Sequence, residues 1–307
     1  MPDRISKILL LRGGALGDLL LTLPVIDAIR AEFPESFIEL WGIHPQAGLV
    51  QSVDRIARLD ALSVAPLFIP GPIDAALQGR LSEFDLAVSF LSDPDGIVAE
   101  NLLSAGLRKI VKCSPVMGAG VHAVYQLACV LKPLGAKLCD PAPSLKIEKI
   151  QDQKLLLGFH PGSGSSAKNW PVERWSEFVE TIAPTFEKLI LIGGEADREI
   201  VRVFRSRYCK PGIEAMICPN LWDLARALSR CAVFVGHDTG VAHLAAAVKT
   251  PVIALFGPTD PAIWSPLGEH VEIIRGEGNR MDAISVATVV EAMNRVVFAY
   301  GPKPGNS

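Results

Sequence analysis

Short apolar runs that end in Gly-rich or polar turns recur along this chain, and stretches with helical spacing follow them. Lys7–Arg12 (KILLLR) runs straight into glycines, as a buried parallel strand does. From Asp18 to Glu32, the residues Leu19, Leu20, Leu23, Ile26 and Ile29 can share one helical face, and Pro24 predicts a kink or a late helix start. Phe37–Trp41, Asp85–Phe90 and Lys109–Lys112 read as further strands, and Val121–Leu134 as a helix. Between Cys139 and Gln153 a Pro-rich stretch gives way to Lys, Glu and Gln, which predicts a linker. The series then restarts. Strands are predicted at Lys154–His160, Lys188–Ile192, Cys231–Val235 and Val252–Phe256. Helices are predicted after Pro171, from about Ala196, from about Val241, and over Ser285–Phe298. Such alternation implies two parallel α/β sheets covered by helices, in residues 1–150 and 151–307.

Composition narrows the possible partners. With 307 residues, 49% of them hydrophobic, the chain can build two cores. Net charge is -3, and Lys+Arg against Asp+Glu is 14 to 16 in residues 1–150 and 16 to 17 in the rest. Neither half is a basic module, so nucleic acid is not an expected partner. A mean hydropathy of +0.31 raises the question of a membrane span. A span needs about 20 consecutive apolar residues, and the most apolar stretch, Ile8–Ile29, is broken by Arg12, three glycines, Asp18 and Pro24. No signal peptide is read at the start, where basic residues lead into a strand-like run. The expected location is therefore cytoplasmic. The six cysteines form no Cys-x-x-Cys pair, so they read as reduced thiols, and no spacing suggests zinc.

In open parallel sheets, ligands bind beyond the carboxyl ends of strands. The loop from His160 through Pro-Gly-Ser-Gly-Ser-Ser, which includes Ser163, offers small residues that let a phosphate approach the backbone. Gly236-His-Asp-Thr-Gly240 leads into a predicted helix whose N-terminus can hold an anion; alternatively, Asp238 or Thr239 simply caps that helix. Lys168 can neutralise a diphosphate leaving group, as a metal ion does elsewhere, or it is a solvated surface lysine. Glu195 can accept hydrogen bonds from ribose hydroxyls or stand as an acid in a first helical turn. His243 reaches either a phosphate or the core. In Arg12-Gly13-Gly14-Ala15-Leu16-Gly17-Asp18, the last carboxylate can act as a general base or as an N-cap. The loop matches neither dinucleotide nor ATP fingerprints. Asp93-Pro94-Asp95 reads as a turn and not as a metal-diphosphate ligand.

Together these segments resemble glycosyltransferase family 9, the ADP-heptose:lipopolysaccharide heptosyltransferases. The resemblance covers nearly the whole chain. It rests on KILLLRGGALGDLLLTLPVIDAIR, GFHPGSGSSAKNWPVERW, LILIGGEADRE and FVGHDTGVAHLAAAVKTPVIALFGPTDPAIWSPLG. It implies a GT-B fold of two Rossmann-like doubly wound domains facing a central cleft: an acceptor domain (1–150) and a nucleotide-sugar domain (151–307), with the last helix crossing back. It implies inverting transfer of a heptose, or related sugar, from ADP-heptose to a lipopolysaccharide core or other surface-glycan acceptor. Asp18 would be the base, and Ser163, Lys168, Asp238, Thr239, Gly240 and His243 would surround the diphosphate and sugar. Glu195 would hold the ribose and Leu221 would lie against adenine. No metal or other cofactor is implied. Expected partners are the nucleotide sugar and a glycolipid or oligosaccharide acceptor, with at most peripheral contact with the cytoplasmic face of the inner membrane. Gly13 and Gly14 depart from the family, which often has Ser or Thr there. Arg12, Gly13, Gly14, Arg108, Lys109 and Lys112 are the acceptor-side candidates. Two other classes compete: a nucleotide-sugar epimerase of the same architecture, and a non-catalytic nucleotide-sugar binding protein.

Overall fold

The computed structural model describes residues 5–147, 155–195, 197–207 and 212–300. The chain divides into two compact units, Met1–Pro141 and Ala142–Ser307. In the first, β1 (Lys7–Arg12), α1 (Leu16–Glu32), β2 (Phe37–Gly42) and β3 (Arg55–Arg58) come first. They are followed by α2 (Ala75–Leu81), β4 (Leu86–Ser89), α3 (Ile97–Ser104), β5 (Lys109–Lys112) and the short α4 (Ala123–Leu127). The strands are parallel, in the order β3-β2-β1-β4-β5. Ile8 to Leu11 in central β1 are fully buried, which is why that run carries no polar alternation. Pro24 lies inside α1, which neither starts late nor ends there. A proline forfeits one N–H bond, and the buried residues on either side, from Leu19 to Ile29, hold the helix in place. The long helix expected over Val121–Leu134 is instead α4 followed by two 3-10 turns, ending at Gly135 with φ 76°.

The second unit carries β6 (Leu156–His160), α5 (Val172–Ile182), β7 (Lys188–Gly193), α6 (Arg198–Arg207), β8 (Ile213–Ile217) and α7 (Leu221–Ser229). Then come β9 (Val233–His237), α8 (Gly240–Ala247), β10 (Val252–Phe256), α9 (Pro261–Trp264), β11 (Val271–Arg275) and α10 (Val286–Tyr300). Its parallel sheet runs β11-β10-β9-β6-β7-β8. An aromatic cluster anchors one face: Phe159, Trp170, Trp175, Phe178 and Phe204 are all buried, and the Trp170 and Trp175 rings meet edge-on at 5.2 Å. The last helix, α10, packs on α5 and against β9 and β10.

The two sheets share one logic. Each starts with its central strand, builds outward one way (β1-β2-β3; β6-β7-β8), then returns to the centre and builds the other way. Crossovers diverge where the direction reverses, leaving a crevice beyond the carboxyl ends of β1 and β4 in one unit and of β6 and β9 in the other. Arg12 and Asp18 lie at the first of these places, and Lys168, Asp238 and Thr239 at the second.

Candidate active site

In the first unit, β1 ends at Arg12, and Gly13-Gly14 turn the chain into α1. Gly14 has φ +94°, and a Cβ there would meet Asp18 Oδ2 at 2.6 Å, so glycine is required on both counts. Asp18 is the third residue of α1. Its Oδ2 accepts a hydrogen bond from the Ala15 N–H at 2.9 Å, and its Oδ1 faces Arg12 Nη2 at 3.5 Å. The Asp18 side chain is 34% exposed. Arg12 is buried and donates to the carbonyls of Asp18 (2.9 Å) and Phe90 (3.3 Å). Burial pushes its guanidinium pKa below the ordinary value, and the Asp18 charge pulls it partly back. Asp18 is therefore not the N-cap, a position held by Ala15, but one of its oxygens still holds the helix start while the carboxylate remains reachable from solvent.

The basic acceptor-side candidates do not form one cluster. Lys112 closes β5 at its carboxyl end, whereas Lys109 opens the strand and Arg108 precedes it. At about 3.3 Å per residue, Arg108 and Lys109 stand roughly 10 Å from the edge where ligands bind. Lys109 Nζ donates to the Pro133 carbonyl at 3.3 Å, and Lys112 Nζ lies 3.4 Å from Asp93. Asp93 also accepts from the N–H groups of Val98 (3.0 Å) and Ala99 (3.2 Å), so Asp93-Pro94-Asp95 is a turn that starts α3.

In the second unit, the turns after β6, β7 and β9 meet at the strand-order reversal, where His160 pairs with Gly236 in register. Lys168 Nζ donates to Asp238 Oδ2 at 2.8 Å, an ion pair whose side chains are 29% and 9% exposed. Asp238 thus aims the lysine at the start of α8. Thr239 is the N-cap residue of α8 but makes no side-chain cap hydrogen bond, so simple capping does not describe this turn. Its Oγ1 lies instead 3.4 Å from His160 Nδ1, and His160 Nε2 is 2.6 Å from Asp197 Oδ2. Asp197 also accepts the Gly194 N–H at 2.9 Å. Burial works to raise the Asp197 pKa, but the His160 hydrogen bond and charge and the Gly194 N–H outweigh it and hold the carboxyl below its ordinary range. Glycine is needed at position 162, because a Cβ there would lie 2.3 Å from Asp197 Cβ.

The remaining candidates divide. Glu195 follows the β7 turn, is 85% exposed, and among the described residues has Arg198, at 3.7 Å, as its ion-pair neighbour; so exposed a pair contributes little. Leu221 opens α7 and is half-buried. Gly240 is the first residue of α8, and His243 is buried in it. Ser163 turns inward: its hydroxyl lies 2.6 Å from the Ser165 carbonyl and 2.7 Å from Asn169 Oδ1. It shapes the loop and does not point its hydroxyl outward. Among the described residues, no group of three or more His, Cys, Asp or Glu side chains is arranged to hold a metal ion.

Sequence reasoning places His160 and His237 in the candidate loops but gives neither side chain a role, and it misses Asp197. His237 is wholly buried, with Trp170 N–H donating to its Nε2 at 2.9 Å, so the ring hydrogen sits on Nδ1 and is given to the Gly162 carbonyl at 3.2 Å. Burial pushes its pKa down to about 3; the Gly162 hydrogen bond and Asp197 oppose this shift, and His160 adds to it. The unfolded chain takes up this proton near the ordinary value of 6.5, well above the folded state. Stability from this group is therefore present above that value and is lost as pH falls toward 3. In urea titrations, unfolding free energy should drop by about 1.4 kcal/mol per pH unit across that window. His237→Gln should flatten the slope, and an unchanged slope would remove His237 as its source.

Comparison with known proteins gives the class and then the family. Escherichia coli ADP-heptose lps heptosyltransferase II superposes with a TM-score of 0.79 at 19% identity, over 96% of this chain and 99% of that one. E. coli heptosyltransferase WaaC with ADP gives 0.75 at 20% identity, over 95% and 100%. The fold is that of the GT-B glycosyltransferases. In sequence, lipopolysaccharide heptosyltransferase 3 of E. coli is 24% identical over 83% of both chains. Lipooligosaccharide heptosyltransferase 2 of Haemophilus influenzae is 31% identical, over 48% of this chain and 45% of its own. The model of glycosyltransferase family 9 (heptosyltransferase) matches residues 131–292, more than half of the chain. The chain belongs to that family.

Proposed function

We propose that this enzyme transfers a heptose from ADP-heptose to a lipopolysaccharide core or related surface glycan, with inversion and without a metal ion. The observation that carries the reading is the start of α8, which has no side-chain cap and has Lys168 held beside it by Asp238. The N–H groups of the half-buried Gly240 and Val241, a helix dipole and an ammonium make an anion subsite of the kind a departing diphosphate needs. The second unit is then the donor side. Lys168 and the first turn of α8, at Thr239 and Gly240, take the diphosphate. Asp238 sets the lysine, and Ser163 and His243 hold the surrounding loop and helix. Glu195, free to reorient, takes the ribose hydroxyls, and Leu221 lies against adenine. In the first unit Asp18 removes the proton of an acceptor hydroxyl. Its oxygen attacks the anomeric carbon opposite the diphosphate, forming the glycosidic bond as the carbon–phosphate-oxygen bond breaks and ADP leaves. The reaction runs on the cytoplasmic side, with at most peripheral contact with the inner membrane.

A thermal-shift panel tests the donor. ADP and ADP-heptose at 100-fold above Kd should stabilise the chain by about 2.7 kcal/mol, with equal shifts in EDTA. Preference for UDP or GDP sugars would overturn the assignment, and shifts that vanish in EDTA would overturn metal independence.

A further inference from the structure

Thr239 occupies the N-cap position of α8 in extended backbone (φ -144°, ψ 163°), the conformation from which a threonine hydroxyl ordinarily accepts a first-turn N–H. It does not do so here. Its hydroxyl is turned back toward His160 Nδ1, and His160 is fixed from its other side by Asp197 at 2.6 Å. The His160 and Asp197 side chains are 4% and 5% exposed, and burying two polar groups is costly unless each is paired. With Nε2 committed to the carboxylate, Nδ1 is the ring nitrogen left to pair with the Thr239 hydroxyl, 3.4 Å away.

We propose that His160, fixed by Asp197, is a positioning residue that draws the Thr239 hydroxyl off the start of α8 and so keeps the Gly240 and Val241 N–H groups open to a phosphate of the nucleoside diphosphate; the next N–H, of Ala242, is already given to the Thr239 carbonyl at 3.1 Å. This rests on the donor reading above and adds a mechanism to it. The helix start is an anion site because a buried pair beneath it withholds the cap that would compete. The same carboxylate holds the Gly194 N–H and packs where Gly162 leaves room. One pair thereby ties together the turns after β6, β7 and β9.

His160→Gln separates the two contacts, because the glutamine amide can reach Asp197 from the Nε2 position and leaves nothing at Nδ1. The released Thr239 hydroxyl then caps α8. ADP affinity, measured by calorimetry, should fall about fivefold, the factor an ordinary N-cap is worth. In a Thr239→Val background there is no hydroxyl to release, so adding His160→Gln should change affinity less than twofold. Thr239→Asn leaves His160 in place and installs a stronger cap. It should raise Tm while weakening ADP, a divergence that structural damage does not produce. A wild-type chain that fails to bind ADP sinks the donor reading and this proposal with it. Wild-type binding with equal affinity in His160→Gln, or an equal loss in both backgrounds, sinks this proposal alone. So does a Thr239→Asn variant that binds ADP as wild type does.

Discussion

Asp18→Asn is expected to lower the rate of glycosyl transfer by about 10²- to 10⁴-fold, the range a positioned general base supplies, with ADP affinity nearly unchanged. The split follows from where the residues stand. Asp18 belongs to the first unit, and every side chain assigned to the diphosphate belongs to the second. Asparagine is nearly the same size, and its carbonyl oxygen can still accept the Ala15 N–H that holds the start of α1. What it lacks is the ability to take a proton. The change also leaves the buried Arg12 guanidinium without the carboxylate 3.5 Å away, so a modest fall in Tm should accompany the kinetic loss. Rates measured well below the variant's Tm separate the two effects. Wild-type turnover would remove Asp18 from the mechanism.

Lys168→Met should lower kcat by about 10²- to 10³-fold, as removing one pre-organised donor from a developing anion does, and should weaken ADP as well. Methionine keeps the length and removes the charge. The loss has two parts. The leaving group loses its cation, and Asp238, 9% exposed and 2.8 Å from the missing ammonium, becomes an uncompensated carboxylate beside the diphosphate. Asp238→Asn added to Lys168→Met should therefore recover part of the ADP affinity, although Asp238→Asn alone weakens binding by loosening the lysine. Groups that act through one contact are not additive. Additive losses across the double variant would mean that the pair does not act as a unit.

The elements legible in the sequence are those whose burial leaves a continuous apolar run. KILLLR and VIALF sit inside their sheets, and their boundaries were read without error. Of the four edge strands, β5 (KIVK) is legible with its exact bounds. β3 (RIAR), β8 (IEAMI) and β11 (VEIIR) are not, because most of their side chains are half-buried or exposed and no continuous apolar run forms. Pro24 misled for a different reason: local propensity was overruled by the burial of α1 on both sides of it. The turns that gather the site residues were visible as Gly-rich breaks after strands. Their wiring was not. Lys168 and Asp238 are 70 residues apart, His160 and Asp197 37, and Trp170 and His237 67. Such pairs exist only once the strand order is known. Arg108 and Lys109 show the converse: in the sequence they stand beside Lys112, but a single strand carries them to the opposite edge.

The strand order that occurs twice has a consequence for how such an enzyme can diversify. The contacts that fix Asp18 are made to Arg12 and Ala15, and Arg12 reaches Phe90, all within the first unit. Those that fix the anion turn run among His160, Lys168, Asp197 and Asp238, all within the second. Inherited changes at one set leave the other intact. The family model matches residues 131–292, most of the second unit. On the acceptor and donor sides proposed above, a lineage can therefore retarget the molecule that receives the sugar by remodelling one sheet edge while conserving the other unit's turns. Chimeras that graft residues 1–141 from relatives onto this second unit are the natural way to exploit that independence.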